Sequence, residues 1–352
     1  MIILNRTLLG AALSAALVLP LAQAAQAQYS FTNFDGPVQT TAGAMIAATT
    51  IDGISNSGSL VGYTSDNNGA YTNFSGMPGA FTTLNIPTTA VPNGINTSQQ
   101  VVGTDGASAF TLNSINASNN PLPLPPVNAT TTAEAAFGIN DSGIIVGQYT
   151  DSATGTTPGF LDINGAFTSL NPAMPIAGAL VVNAQGINNA GLVVGFYAQN
   201  NLGTDQHGFL YDSLTKSYTS LSDPSTAQTA NGNLALTQFL GINDSGLAVG
   251  YYQTKDTSSQ FGFLYDTQTQ QYTYLGDHEA APLNGVKTTQ ITGLTNAGEI
   301  AGFYADANGK LQGFTAVPVP EASSSLGLGL LLLLGGGALA LRTHRHRANS
   351  AA

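Results

Sequence analysis

The chain has 352 residues, of which 8% are charged, against roughly 25% in an ordinary soluble protein, with 41 Gly and no Cys. The missing Cys excludes disulfides, thiolate catalysis and thiolate metal sites, and the scarcity of Glu, Lys and Arg favours strands and tight turns over long helices. All 19 acids lie between Asp35 and Glu321 with only four lysines, a net of −15 that repels phosphate backbones and excludes nucleic acid, while suiting solubility or the attraction of cations.

Residues 1–27 read as a secretory signal peptide. Arg6 precedes an apolar run from Leu8 to Leu21, and Ala25-Gln26-Ala27 offers signal peptidase a small-x-small site. The run is too short and too Ala-rich for a good membrane span, so the mature chain is expected to begin at Gln28. It opens on Tyr29-Ser30-Phe31-Thr32-Asn33-Phe34-Asp35, which reads as one strand with no partner before it.

From Gly53 onward one phrase recurs. Its clearest copy is Gly241-Ile242-Asn243-Asp244-Ser245-Gly246-Leu247-Ala248-Val249-Gly250, and near-copies start at Gly53, Gly94, Gly138, Gly186 and Gly293, spaced by 41, 44, 48, 55 and 52 residues. That period marks a repeat architecture in which each copy is one supersecondary unit. Within a copy, Thr237 to Ile242 predicts a strand, Asn243 to Gly246 a tight hairpin turn, and Leu247 to Tyr252 a second strand covered on both faces. The last Gly recurs as Gly62, Gly103, Gly147, Gly195, Gly250 and Gly302. A strand Gly costs stability, so its recurrence predicts something packed closely against the backbone.

A third and a fourth strand follow, as in Phe261 to Asp266 with Gln271 to Leu275. The matching pair in the first copy is expected at Gly69-Ala70-Tyr71 with Ala80 to Leu84. Copy two is degenerate around Phe110 and interrupted by Pro121 to Pro126. Four short strands per period predict an all-β fold, a β-propeller of six four-stranded blades over residues 28–317. The last copy stops at Gly313-Phe314-Thr315 without a fourth strand, which the N-terminal strand can supply so that no blade keeps an open edge. An open β-solenoid and a different blade count stay as alternatives. The phrase, together with Gln206-His207-Gly208-Phe209-Leu210-Tyr211, resembles the extracellular HAF-type repeat. That resemblance implies export and fold more than activity.

Residues 318–352 form a separate tail. Val319-Pro320-Glu321 precedes three serines, an apolar stretch from Leu326 to Leu341, and a basic cluster of Arg342, Arg345 and Arg347. The stretch predicts a transmembrane helix and the bases hold its end in the cytoplasm. This order resembles the PEP-CTERM sorting tail of Gram-negative bacteria, although Ala322 stands where a second Pro is usual. The resemblance implies an exosortase-like processing enzyme as partner, with transient anchoring in the inner membrane.

Strand parity puts the short first-to-second and third-to-fourth turns on one face of the ring. The longer connections fall on the other, which is the expected binding face. Its ionisable clusters are Asp277-His278-Glu279 and Asp205 with His207. No nucleophile elbow, zinc-protease motif or phosphate loop occurs, and no cofactor, metal or catalytic residue is assigned. Asp306-Ala307-Asn308-Gly309 reads as a hairpin turn rather than a calcium loop. The sequence therefore predicts an exported, non-enzymatic surface or matrix protein that binds exopolysaccharide or other surface proteins. The alternatives are a carbohydrate-active propeller enzyme, which needs two converging carboxylates, and a cation-binding module.

Overall fold

The repeated phrase folds into a hairpin whose turn is closed in every copy by its own backbone, as in Asn243 N–H to Leu247 O at 3.0 Å and Gly246 N–H to Asn243 O at 3.1 Å. The fourth turn residue has positive φ each time, as Gly58, Gly143, Gly191, Gly246 and Gly298, and as Gln99 in the second copy. This is the backbone conformation that glycine adopts without cost.

The computed structural model describes residues 29–37, 45–115, 122–170, 179–200, 206–221, 234–255, 259–275 and 288–319. Its strands begin with β1 (Tyr29–Phe34). The first repeat supplies β2 (Ile46–Ile54), β3 (Leu60–Asp66), β4 (Tyr71–Met77) and β5 (Ala80–Thr83). The second gives β6 (Ala90–Ile95), β7 (Val101–Asp105), β8 (Ser108–Leu112) and the two-residue β9 (Leu122–Pro123). The third gives β10 (Thr131–Ile139), β11 (Ile145–Asp151), β12 (Gly159–Ile163) and β13 (Ala166–Leu170). The fourth gives β14 (Val181–Ile187), β15 (Leu192–Ala198), β16 (Gln206–Asp212) and β17 (Ser217–Ser220). The fifth gives β18 (Leu234–Ile242), β19 (Leu247–Thr254), β20 (Gln260–Asp266) and β21 (Gln271–Tyr274). The sixth ends with β22 (Thr289–Leu294), β23 (Ile300–Ala305) and β24 (Leu311–Pro318).

Each repeat pairs its strands antiparallel in chain order, and β1 pairs antiparallel with β24 from Tyr29 opposite Pro318 to Phe34 opposite Gly313. The N-terminal strand thus sits where the sixth repeat lacks its fourth. The blades remain separate sheets, joined edge to edge only by short parallel bridges such as Ala48 to Leu311 and Gln206 to Leu236. This is the β-propeller architecture. No described residue lies in a helix. The transmembrane helix expected from Leu326 to Leu341 lies outside the described residues, and among these no helix is long and apolar enough to cross a membrane.

The core is divided among the interfaces between successive blades. Six hydrophobic clusters fall one to each interface, from Val61 with Ile95 and Val101 between the first two blades to Ile51, Leu60 and Phe74 with Ala301 between the first and the last. Second strands are therefore buried on both faces, as Ala248 to Tyr252 are. The outer strands are largely exposed, keeping one half-buried residue such as Phe81 or Tyr218.

The last Gly of the phrase does face a close neighbour. A side chain on Gly147 would run into the carbonyl oxygen of Ala135 and stand 2.7 Å from the ring of Phe160. In all six blades this Gly pairs across the sheet with a buried Phe: Phe74, Phe110, Phe160, Phe209, Phe263 or Phe314. In the second, third and fourth blades the ring of that Phe stands within 2.7–2.9 Å of where a Cβ would be, and in the others the carbonyl of the first strand already blocks it.

That register corrects one expectation. In the first blade the third strand is centred on Phe74, not on Gly69-Ala70-Tyr71. The Asp66 carboxylate accepts the N–H groups of Asn68 and Ala70 at 2.8 Å each, which makes Gly69 a turn residue and leaves Tyr71 exposed. The second-to-third connections are accordingly short in the first, second and sixth blades, where the longer, variable class was expected. Asp306 to Gly309 is the hairpin turn expected, closed by Asp306 N–H to Lys310 O at 2.9 Å.

Candidate binding site in the axial channel

In every blade the inner strand carries a β-bulge just before the first Gly of the phrase. The bulged positions are Asp52, Asn93, Phe137, Gln185, Leu240 and Thr292, whose side chains line the ring axis. A bulge inserts one unpaired residue and re-aims its side chain. The following glycines, Gly53, Gly94, Gly138, Gly186, Gly241 and Gly293, sit against the next blade's inner strand. A Cβ on Gly138 would lie 2.5 Å from Gln185 O and 3.2 Å from the Cα of Gly186. The blades approach this closely only because neither strand has a side chain there.

The channel therefore has tiers. On the turn side, a ring of Ile54, Ile95, Ile139, Ile187, Ile242 and Leu294 borders a cavity of about 60 Å³. The glycine and bulge tiers enclose about 80 Å³. On the loop side the bulge tier opens into a funnel of about 290 Å³, walled further by Thr50, Tyr63, Gln238, Gln290 and Phe303.

The turn side is not the plain scaffold the repeat suggests. Asn96, Asn140, Asn188 and Asn243 are buried. Each accepts its own turn's N–H on Oδ1 and donates Nδ2 to a backbone oxygen of the next blade: Asn140, Asn188, Asn243 and Thr295 respectively, at 3.0–3.2 Å. Each such tie contributes about 1 kcal/mol. Ser55 and Thr295 replace Asn in the first and sixth copies, and their hydroxyls serve only their own turns or turn neighbours.

The next turn position forms a second, solvent-facing ring. Asp141 accepts from Thr97, Asn56 and Asn189, and Asp244 accepts from Asn189 and Asn296. Asn296 N–H then meets Asn56 Oδ1 at 2.8 Å, from the sixth blade to the first. Burial would raise the Asp141 carboxyl, but these donors outweigh it and hold the group below the usual carboxylate range.

Asp52 is different. It lines the channel, and its Oδ2 is sealed from solvent with no hydrogen-bond partner among the described residues. Burial pushes its pKa up to about 8. Tyr63, also raised by burial and then by Asp52, is hydrogen-bonded to Thr50 beside it. The neighbouring amides are held by their nitrogens. Asn93 Nδ2 donates to Ala136 O at 2.8 Å, Gln185 Nε2 to Asn183 Oδ1 at 2.7 Å, Gln238 Nε2 to Gln206 Oε1 at 2.5 Å and Gln290 Nε2 to Gln260 Oε1 at 2.8 Å. No described residue donates to the oxygens of these four amides. The funnel is thus rich in acceptors.

Of the residues expected to bind, Asp205, Asp277, His278 and Glu279 lie outside the described residues. His207 lies on β16, its ring 5.4 Å from that of Tyr197, and does not line the channel. Val319 is exposed just past β24, while Pro320, Glu321, Arg342, Arg345 and Arg347 are outside the described residues. Among the described residues no group of three or more His, Cys, Asp or Glu could hold a metal ion. One carboxylate, Asp52, lines the funnel, so the described residues there do not form the carboxylate pair that glycoside hydrolysis requires. The channel residues did leave a signal in the sequence. They occupy the variable position directly before an invariant Gly, where neither period-2 burial nor turn chemistry dictates the residue.

A family described as a protein of unknown function (DUF3466) matches residues 125–238. No curated protein matches. Among solved structures the chain is similar to an oligogalacturonate lyase in complex with manganese, at 10% identity and a TM-score of 0.44 over 84% of this chain and 99% of that one. It is similar to a mutant of the Aleuria aurantia lectin in complex with Fucα1-6GlcNAc, at 13% identity and a TM-score of 0.44 over 80% of this chain and 100% of that one. A third is the β-propeller domain of the Trilobed protease from Pyrococcus furiosus, with an open velcro topology, at 9% identity and a TM-score of 0.40 over 80% of this chain and 100% of that one.

Proposed function

We propose that the protein is an exported, non-enzymatic surface module that takes one residue of an exopolysaccharide, or a comparably sized group of a surface partner, into its loop-face funnel. The observation that carries this reading is the funnel itself. It is a cavity of about 290 Å³ walled by non-repeating residues in a chain whose other inner positions repeat. Its volume is roughly that of ten water molecules, the scale of one sugar ring. Amide oxygens, Thr hydroxyls and the rings of Tyr63, Phe137 and Phe303 offer the mixture of polar and aromatic surface that a sugar presents in return. Calorimetry of the mature chain with oligosaccharides from the producing cell's exopolysaccharide is expected to show binding. Leu240→Trp, which fills the funnel, is expected to weaken it at least tenfold. Equal affinity in that variant would place the ligand elsewhere.

Export and sorting rest on the two ends of the sequence. The signal peptide would deliver the chain across the inner membrane. The PEP-CTERM-like tail, with Val319, Pro320 and Glu321 before the apolar stretch and Arg342, Arg345 and Arg347 after it, would hold it there until an exosortase-like enzyme acts. Deleting residues 318–352 should move the protein from the envelope fraction into the periplasm or medium, and an unchanged distribution would rule the tail out as the sorting element.

A further inference from the structure

The funnel's chemistry is one-sided. It holds a carboxyl with a sealed oxygen unpartnered among the described residues, and four amides that each donate an N–H to protein while their oxygens receive nothing from the described residues. Among the described residues no Lys, Arg or His lines it, and Asp52 and Tyr63 are the titratable groups there. A buried carboxyl normally has a cation or donors built around it. Here no described residue supplies either, and Asp52 lines a cavity large enough for a ligand. Three aromatic rings, Tyr63, Phe137 and Phe303, complete the wall. Acceptors, one carboxylate and aromatic faces are the set that recognises an ammonium group. The −15 charge of the residues from Asp35 to Glu321 would raise the local concentration of such a ligand before it docks.

From this juxtaposition we infer that the funnel binds a primary ammonium group, in the first instance that of an amino sugar, with Asp52 as its counter-ion. The inference rests on the funnel being the ligand site and names what enters it. In the empty protein the Asp52 carboxyl is protonated at neutral pH, so docking of the ammonium must break the carboxyl O–H bond and release that proton to the buffer. No electron moves and no co-reactant is required. Gln185, Gln238, Gln290 and Asn93 would accept the remaining N–H and O–H groups of the ligand. Phe137 and Leu240 would cover its apolar face.

The test is titration calorimetry of the mature chain at pH 7 with four probes: glucosamine, N-acetylglucosamine, glucose and ethanolamine. Each titration is run in phosphate and in HEPES, neither of which carries a primary ammonium and whose ionisation heats differ. Glucosamine is expected to bind at least tenfold more tightly than the two neutral sugars. Its binding heat should differ between the two buffers by the difference in their ionisation heats, one proton being released per ligand bound. Asp52→Asn should abolish both the preference and the buffer dependence, and circular dichroism would verify that the variant is folded. Ethanolamine binding without any sugar binding would uphold the ammonium site and overturn the polysaccharide reading. Neutral sugars binding as well as glucosamine, or a glucosamine affinity unchanged in Asp52→Asn, would overturn the inference while leaving the funnel as a sugar site. No heat from any of the four probes would overturn both.

Discussion

Deleting residues 28–37 from the mature chain is expected to lower its melting temperature by roughly 10 °C. The inter-blade amide ties run from the second blade to the sixth and are missing where Ser55 and Thr295 replace Asn. The N-terminal segment crosses one of the two interfaces left without a buried Asn tie. Strand β1 pairs with β24 of the sixth blade, and Phe31 lies 5.4 Å from Phe314. Phe34 then turns to the first blade, 5.4 Å from Phe81, and Gly36 N–H reaches Thr49 Oγ1 at 3.2 Å. Buried Gly36 leaves no room for a Cβ, which would stand 2.6 Å from the ring of Phe74. Two partly buried Phe rings and a six-residue ladder together contribute on the order of 5 kcal/mol. The Lys310–Asp35 ion pair at 2.8 Å is solvent-exposed and adds well under 1 kcal/mol of this. Differential scanning calorimetry decides the matter. A truncated chain melting within about 2 °C of the parent would mean that the blades hold the ring without the strap.

The second large effect is one of pH. Asp52 keeps its proton up to about pH 8 in the folded protein, while in the unfolded chain a free Asp titrates near ~3.9. Below that lower value both states are protonated and the buried carboxyl costs nothing. Between the two values the unfolded chain has lost the proton and the folded chain has kept it, so stability falls as pH rises. Above about pH 8 both are ionised and the whole cost remains. Asp52→Asn removes the titration and keeps the shape. Its stability gain over the parent should be near zero at pH 4, on the order of 4 kcal/mol at pH 7, and level above pH 8. Denaturant titrations at these three pH values provide the measurement. A gain that is the same at all three would show that Asp52 does not titrate as a buried group. A residue retained at such a cost fits the pattern in which binding sites trade stability for function.

How much of this was legible in the residues can be argued position by position. The turn was, because Asn243 to Gly246 combines a side chain that caps N–H groups with a residue that accepts positive φ. So was the role of β1, since a lone strand at one end matched a missing strand at the other. The place of Gly250 was legible, but its partner was not. The Gln238 carbonyl and Phe263 belong to the two flanking strands, and only the register brings them together. The first blade was misaligned because Asp66 closes a short turn, of the kind Asp306 closes in the sixth blade, and this places the third strand on Phe74. The channel was missed for a different reason. Sequence patterns assign each strand residue to one of two faces, and a bulged residue such as Asp52 or Gln185 belongs to neither. The loop residues Asp277 to Glu279, singled out for their charge, lie outside the described residues.

The pairing of Tyr29 with Pro318 also fixes which way the molecule would stand. Strand β24 leaves the hairpin at Asp306 to Gly309 and runs to the turn side, where the Tyr29 hydroxyl meets the carbonyl of Gly298. Both ends of the domain therefore depart from one corner of one face, and the funnel opens through the other. A chain held by its C-terminal side would rest on its ring of Asn and Asp turns like a cup on its base. The mouth would point away from the membrane, and the tether could be cut at that corner without touching anything the cup holds.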